Sequence, residues 1–191
     1  MSTFRERLDE ADRFFEKRGK VHQAMNRMVA FLESEGTPYA VIGTMALNAH
    51  GYVRVTTNVD FLITPQGFEQ LQRALPGARR KMRDEETGVE VKFIFTGQFP
   101  GDGLTKPVSF PDPAEVTIEH DGYKVISLPK LIELKLASGL TNPSRIRDLA
   151  DVQDLIVTLD LPREIGDQLD PSVRDEYYRR WQLYQTSKSS K

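Results

Sequence analysis

Asn58 and Asp60 stand two residues apart in the run Asn58-Val59-Asp60-Phe61-Leu62-Ile63, whose apolar members mark a strand. Side chains two apart on a strand face the same way, about 6.5 Å from one another. Two carboxylates so placed can clamp magnesium and align a triphosphate for in-line displacement. Here the first member is an amide, a neutral oxygen donor in place of a charged one, so affinity for a hard dication falls. Asp60 remains a candidate metal ligand; its plainer role is an aspartate bonded to nearby backbone. Upstream, Gly43-Thr44 closes the apolar run Tyr39-Ala40-Val41-Ile42. A glycine ending a strand lets the backbone approach a ligand closely. Free N–H groups at the start of a following helix, with the Thr44 hydroxyl, attract phosphate oxygens. The same residues also make an ordinary strand-to-helix turn. Arg54 and Thr57 precede the acidic strand, and either can reach phosphate; Arg54 can equally pair with Glu69 or another surface acid.

The elements that must position these groups follow from periodicity and punctuation. Thr3 and Glu6 form a capping box for a first helix to about Arg18. Val21, Met25, Met28, Val29 and Leu32 then recur at helical spacing up to Glu35-Gly36-Thr37-Pro38. Tyr39–Ile42 reads as a buried strand, and 44–50 as a helix closed by Gly51 in a left-handed conformation. Val59–Ile63 is the second strand, and Pro65 opens a helix to about Leu75. Residues 76–88 suggest a turn with a short strand. Val89 to Phe95 alternates like a strand, and 96–113 is rich in glycine and proline and reads as loop. Val116–Ile118 and Tyr123–Ile126 form a hairpin about Asp121-Gly122. Ser127-Leu128-Pro129 opens a helix to Ser138 that Gly139 ends. Asn142-Pro143 caps another to about Leu159, and a last helix, Pro171 to Tyr184, runs into a frayed Ser/Lys tail. The expected class is α+β: one domain over 1–191, a mixed sheet with helices packed on it, and a C-terminal helix and disordered tail over 171–191.

The chain's 191 residues suffice for a buried core. A net charge of −2 makes no general case for nucleic acid. No apolar stretch approaches the roughly 18 residues of a membrane span, and the charged N-terminus lacks a signal-peptide centre, so a cytoplasmic location is expected. The absence of cysteine excludes disulfides and thiolate zinc sites.

Taken in order, these blocks resemble nucleotidyltransferases of the polymerase-beta type. The first resembles those of bacterial abortive-infection and toxin–antitoxin systems. Gly88-Val89-Glu90-Val91-Lys92-Phe93, Thr96 to Gly103, Ser127 to Gly139 and Arg145 to Val152 resemble related uncharacterised nucleotidyltransferase-like proteins. The resemblance implies a nucleotidyltransferase-like mixed sheet with nucleotide at Gly43 and Thr44. Asn58 takes the place of the first metal aspartate, and Asp60 that of the second. Lys135 matches a helical lysine that contacts nucleotide phosphate, and Asp148 and Asp151 match the acidic residues of the last motif, with Arg147 facing substrate. The third metal carboxylate falls at Lys92, unless the strand register slips by two and brings Glu90 opposite Asp60.

The implied catalytic set is Asp60, Asn58 and Lys135. The nucleotide-binding set is Gly43, Thr44, Arg54, Lys135 and Asp148, and the metal set is Asp60 and Glu90. The implied activity is Mg2+-dependent transfer of a nucleotidyl group from a nucleoside triphosphate to a hydroxyl of RNA or protein, through a degenerate metal site (Asn58, Lys92). The alternative is a catalytically inactive binding or regulatory module, one half of a toxin–antitoxin or phage-defence pair with a cognate protein partner, in which Lys92 stands in for the metal as a countercharge. Plainer roles remain open. The Lys135 stem can cover core surface, Asp148 can pair with Arg145, and the aromatic-basic helix of Tyr177, Tyr178, Trp181 and Tyr184 can serve packing. A third reading takes Arg79, Arg80, Lys81 and that last helix as an RNA surface.

Overall fold

The computed structural model describes the backbone of residues 4–189 and the side chains of residues 19–189. The Thr3–Glu6 capping box lies outside the described residues. Two central strands organise the molecule: β1 (Tyr39–Ile42) and β2 (Asn58–Ile63), antiparallel to each other. Beside β2 runs β4 (Glu90–Phe95) in parallel, edged by the antiparallel β3 (Lys81–Arg83). Beside β1 runs β6 (Tyr123–Ile126) in parallel, edged by β5 (Thr117–His120). The sheet order is β3-β4-β2-β1-β6-β5, a mixed sheet of six strands.

Alternation sets the two faces of β2. Val59, Phe61 and Ile63 face one way and are fully buried. Phe61 stacks on Phe93 of β4 and meets Tyr39 edge-on, each with centroids 5.9 Å apart. Burying such a side chain stabilises by roughly 1.5–3 kcal/mol, so this face holds the register. Asn58 and Asp60 face the other way, with Lys92 of β4 and Ile42 of β1 as lateral neighbours of Asp60.

The helices differ from expectation in instructive ways. α1 (Phe4–Ser34) runs unbroken through Gly19, since one glycine in a helix costs only about 1 kcal/mol. Val21, Ala24, Met25, Met28, Val29 and Leu32 make its buried stripe. α2 (Gly43–Ala49) and α3 (Pro65–Ala74) fall where expected, with Thr64 capping α3 and Gly51 at φ +95°. A short α4 (Pro113–Val116) precedes the hairpin, whose turn residues Asp121 and Gly122 both have positive φ. Gly139 does not end α5 (Leu128–Thr141) but lies inside it. A Cβ there would sit 2.5 Å from Leu149 Cγ of α6 (Ile146–Thr158), so the glycine permits helix contact. A 3-10 turn, Pro143–Arg145, joins the two, capped by Asn142. A second 3-10 segment, Arg163–Gln168, was not anticipated. Finally α7 (Pro171–Ser189) continues past Tyr184 through the segment expected to fray; 190–191 lie outside the described residues. Its aromatics pack: Tyr177 is fully buried and Trp181 Nε1 donates to the Leu161 carbonyl. No helix among the described residues is long and apolar enough to cross a membrane.

Candidate functional site

The polar face of β2 opens into a cavity of about 550 Å3 between the sheet, the start of α2, the loop after β4, and the α5–α6 corner. Gly43, at the β1–α2 junction, has φ +65°, and a Cβ there would lie 2.5 Å from Asp60 Oδ2. Only glycine satisfies both the left-handed backbone and the approach of that carboxylate. Thr44 also lines the cavity, and its hydroxyl has no hydrogen-bond partner among the described residues.

The Asn58 amide donates through Nδ2 to Asp60 Oδ1 at 2.7 Å, while its Oδ1 accepts from Thr56 Oγ1 at 3.4 Å. Asn58 therefore positions Asp60 with its nitrogen, and its oxygen has only that long contact. Burial pushes the Asp60 carboxyl above its ordinary value, offset in part by the Lys92 ammonium, the Asn58 hydrogen bond, Arg145 and Lys135.

The strand register decides which residue opposes Asp60. Asp60 pairs with Lys92, and Asn58 with Glu90. The slip that would bring Glu90 opposite Asp60 is not realised, because it would pull Phe93 off Phe61 on the buried face. Glu90 instead holds Lys92 Nζ at 2.8 Å, with its carboxyl lowered by that bond, and does not line the cavity.

Lys135, also in the cavity wall, is almost fully buried. Its Nζ donates to Asp148 Oδ1 at 3.0 Å and Asp151 Oδ2 at 2.7 Å. Ser138 Oγ and Arg145 Nε donate to Asp148 Oδ2 at 2.7 and 2.9 Å. Burial opposes ionisation of Asp148, but Lys135, Ser138 and Arg145 outweigh it and hold its carboxyl below the ordinary value. Arg54 pairs with Asp151 at 2.5 Å rather than with Glu69, whose partner is Arg73. The Arg54 Nε is buried with no partner.

The donor set does not fit a magnesium pair. Asp60 is the only carboxylate on its stretch of the wall, Lys92 is its lateral neighbour, and Asp148 is committed to three donors. Among the described residues no three His, Asp or Glu side chains gather as a metal would require. The charge balance runs the other way. Arg54, Lys92, Lys135, Arg145 and Arg147 line the cavity against Asp60 and Asp148, with Asp151 paired to Arg54 and Lys135, and Glu90 to Lys92, from outside the lining. Of the expected residues, Gly43, Thr44, Arg54, Asn58, Asp60, Lys135 and Asp148 come together here, and Glu90 stays outside. Arg145, Phe99 and Phe110 also line the cavity. In the sequence, Arg145 and Phe99 fell within resembling blocks without a site role, Arg145 also as a surface partner of Asp148, and Phe110 only as part of a loop.

This arrangement of sheet, glycine turn and acidic strand, α+β with a mixed sheet, is similar in fold to candidate nucleotidyltransferases of known structure. A candidate nucleotidyltransferase from Thermotoga maritima is similar at 14% identity and a TM-score of 0.53, over 68% of this chain and 91% of that one. Another from Helicobacter pylori is similar at 14% identity and a TM-score of 0.46, over 92% and 98%. No protein-family model and no curated protein sequence matches the chain.

Proposed function

We propose that the cavity binds a nucleoside triphosphate without a divalent cation, and that the chain is a nucleotide-binding module on a nucleotidyltransferase fold with little transfer activity of its own. The observation that carries this is the pairing of Lys92 with Asp60, where a catalytic site would need a carboxylate. A triphosphate requires several positive charges within reach, and fixed ammonium and guanidinium groups supply them without an ion. Arg145 and Arg147 stand at the α5–α6 corner, Arg54 lines the cavity beside them, and Thr44 offers a free hydroxyl. Nucleotidyl transfer to a hydroxyl of RNA or protein needs at least a second carboxylate beside Asp60, and Glu90 is bound to Lys92 outside the cavity.

Asp60 is the informative position. In a metal-dependent site it is indispensable, whereas in a metal-free site its charge repels the ligand. Asp60→Asn is therefore expected to tighten ATP binding about tenfold in EDTA buffer, as removal of one like charge at this range implies. The amide keeps an oxygen to accept from Asn58, so the local geometry is retained. Calorimetric titration of both proteins checks this, and loss of ATP binding in the variant would contradict it.

A further inference from the structure

The cavity has an apolar lining that charge does not explain. Ile94, Phe99, Pro100 and Phe110 line it along with the cations. Among the described residues, every other phenylalanine is either in the core or packed against it; Phe99 is neither. Its ring is half-buried and has no aromatic or cationic partner there. An aromatic ring exposed to a cavity and unpaired is an incomplete contact.

The backbone on both sides of Phe99 is fixed. The Gln98 N–H donates to the Phe95 carbonyl at 3.1 Å, and the Gln98 carbonyl accepts from Phe110 N–H at 2.8 Å. On the other side, the Pro100 carbonyl accepts from Lys106 Nζ at 2.6 Å, and the Gly101 carbonyl from Asn142 Nδ2 at 3.1 Å. Gly101, at φ +79°, lies so close to α5 that a Cβ would meet the Ser138 carbonyl at 2.7 Å. The loop is thus pinned to the α5 end from which Ser138 and Lys135 reach the cavity. A platform held in place before binding loses little entropy when a ligand stacks on it.

We infer that Phe99 is the stacking platform for the planar ring of the ligand, so that the cavity selects a nucleobase joined to a polyphosphate over a polyphosphate alone. This rests on the nucleotide-binding reading above and adds to it the residue that discriminates. The cations of the cavity take the charge, and the Phe99 ring offers a flat apolar surface within the same lining. Stacking on an aromatic side chain is tolerant of base identity, since every base has a π-face.

The test compares ATP, UTP and inorganic triphosphate by calorimetry in EDTA buffer, for the wild type, Phe99→Ala and Phe99→Trp. The wild type is expected to bind both nucleotides about tenfold more tightly than triphosphate. Phe99→Ala should remove that advantage while leaving triphosphate affinity unchanged. Phe99→Trp should keep it and show quenched tryptophan emission on adding nucleotide; it also guards against a folding defect in the alanine variant. Triphosphate binding with nucleotide affinity indifferent to Phe99→Ala would overturn this inference and leave the anion-binding reading standing. Equal weakening of all three ligands by Phe99→Ala, with Phe99→Trp no better, would overturn it too. Failure of the wild type to bind any of them would overturn both.

Discussion

Replacing Lys135 by alanine is expected to destabilise the protein by about 3 kcal/mol, the low end of the penalty for breaking a buried ion pair, because Arg54 and Arg145 still face the two carboxylates. Lys135 lies between Asp148 and Asp151, all three buried, and its ammonium satisfies one oxygen of each. Arg54 still bonds the Asp151 oxygen that it shares with Lys135, and Ser138 and Arg145 still hold Asp148 Oδ2, but Asp148 Oδ1 is left without a donor. For a chain of this length the loss corresponds to about 10 °C in melting temperature. Asp148 sets the pH dependence. Its folded-state pKa lies below the unfolded value, so its stabilising contribution is present above the ordinary carboxylate range and lost as pH falls through the folded value. The deficit of the alanine variant should be largest near neutral pH and shrink on acidification. Denaturant unfolding at several pH values checks both points. Further neutralisation with Asp148→Asn and Asp151→Asn should recover part of the loss. A lysine that served only to touch phosphate would show almost no stability effect.

The second large effect is a gain. Asn58→Asp together with Lys92→Asp puts two carboxylates beside Asp60, one on its own strand and one in register on β4. The cavity then loses an ammonium and gains two negative charges, so triphosphate affinity in EDTA should fall by at least about 100-fold. Magnesium should restore it, since paired carboxylates and phosphate oxygens together suit a hard dication. Magnesium-dependent release of label from an α-labelled triphosphate should then appear above the wild-type level. Glu90, about one-third exposed, loses only a surface partner and tolerates the change. Magnesium-insensitive nucleotide affinity in the double variant would mean that Lys92 does not occupy the role of the ion.

Much of this site was legible in the sequence because it is local. Gly43-Thr44 and the Asn58/Asp60 pair depend on strand alternation and one turn. The Asp121-Gly122 hairpin and the Pro65 and Asn142 caps likewise rest on chemistry a few residues wide. What escaped was long-range. Whether Glu90 or Lys92 opposed Asp60 was fixed by Phe61 stacking on Phe93 across the far face of the sheet. Gly139 resembles a helix stop until Leu149 of α6 is seen occupying its missing Cβ. Lys135 matched a phosphate-binding lysine, yet its burial with two carboxylates needs the α5–α6 packing to be visible. Phe99 sat in a loop whose prolines and glycines signalled irregularity, while the bonds that pin it run to Lys106 and Asn142.

The most direct test of a metal-free nucleotide site is calorimetric titration of the wild-type chain with ATP, once in EDTA and once in excess magnesium. A metal-free site binds ATP in EDTA, and magnesium gives no increase in affinity because it screens the phosphates from Lys92 and its cationic neighbours. Binding that appears only with magnesium would contradict it.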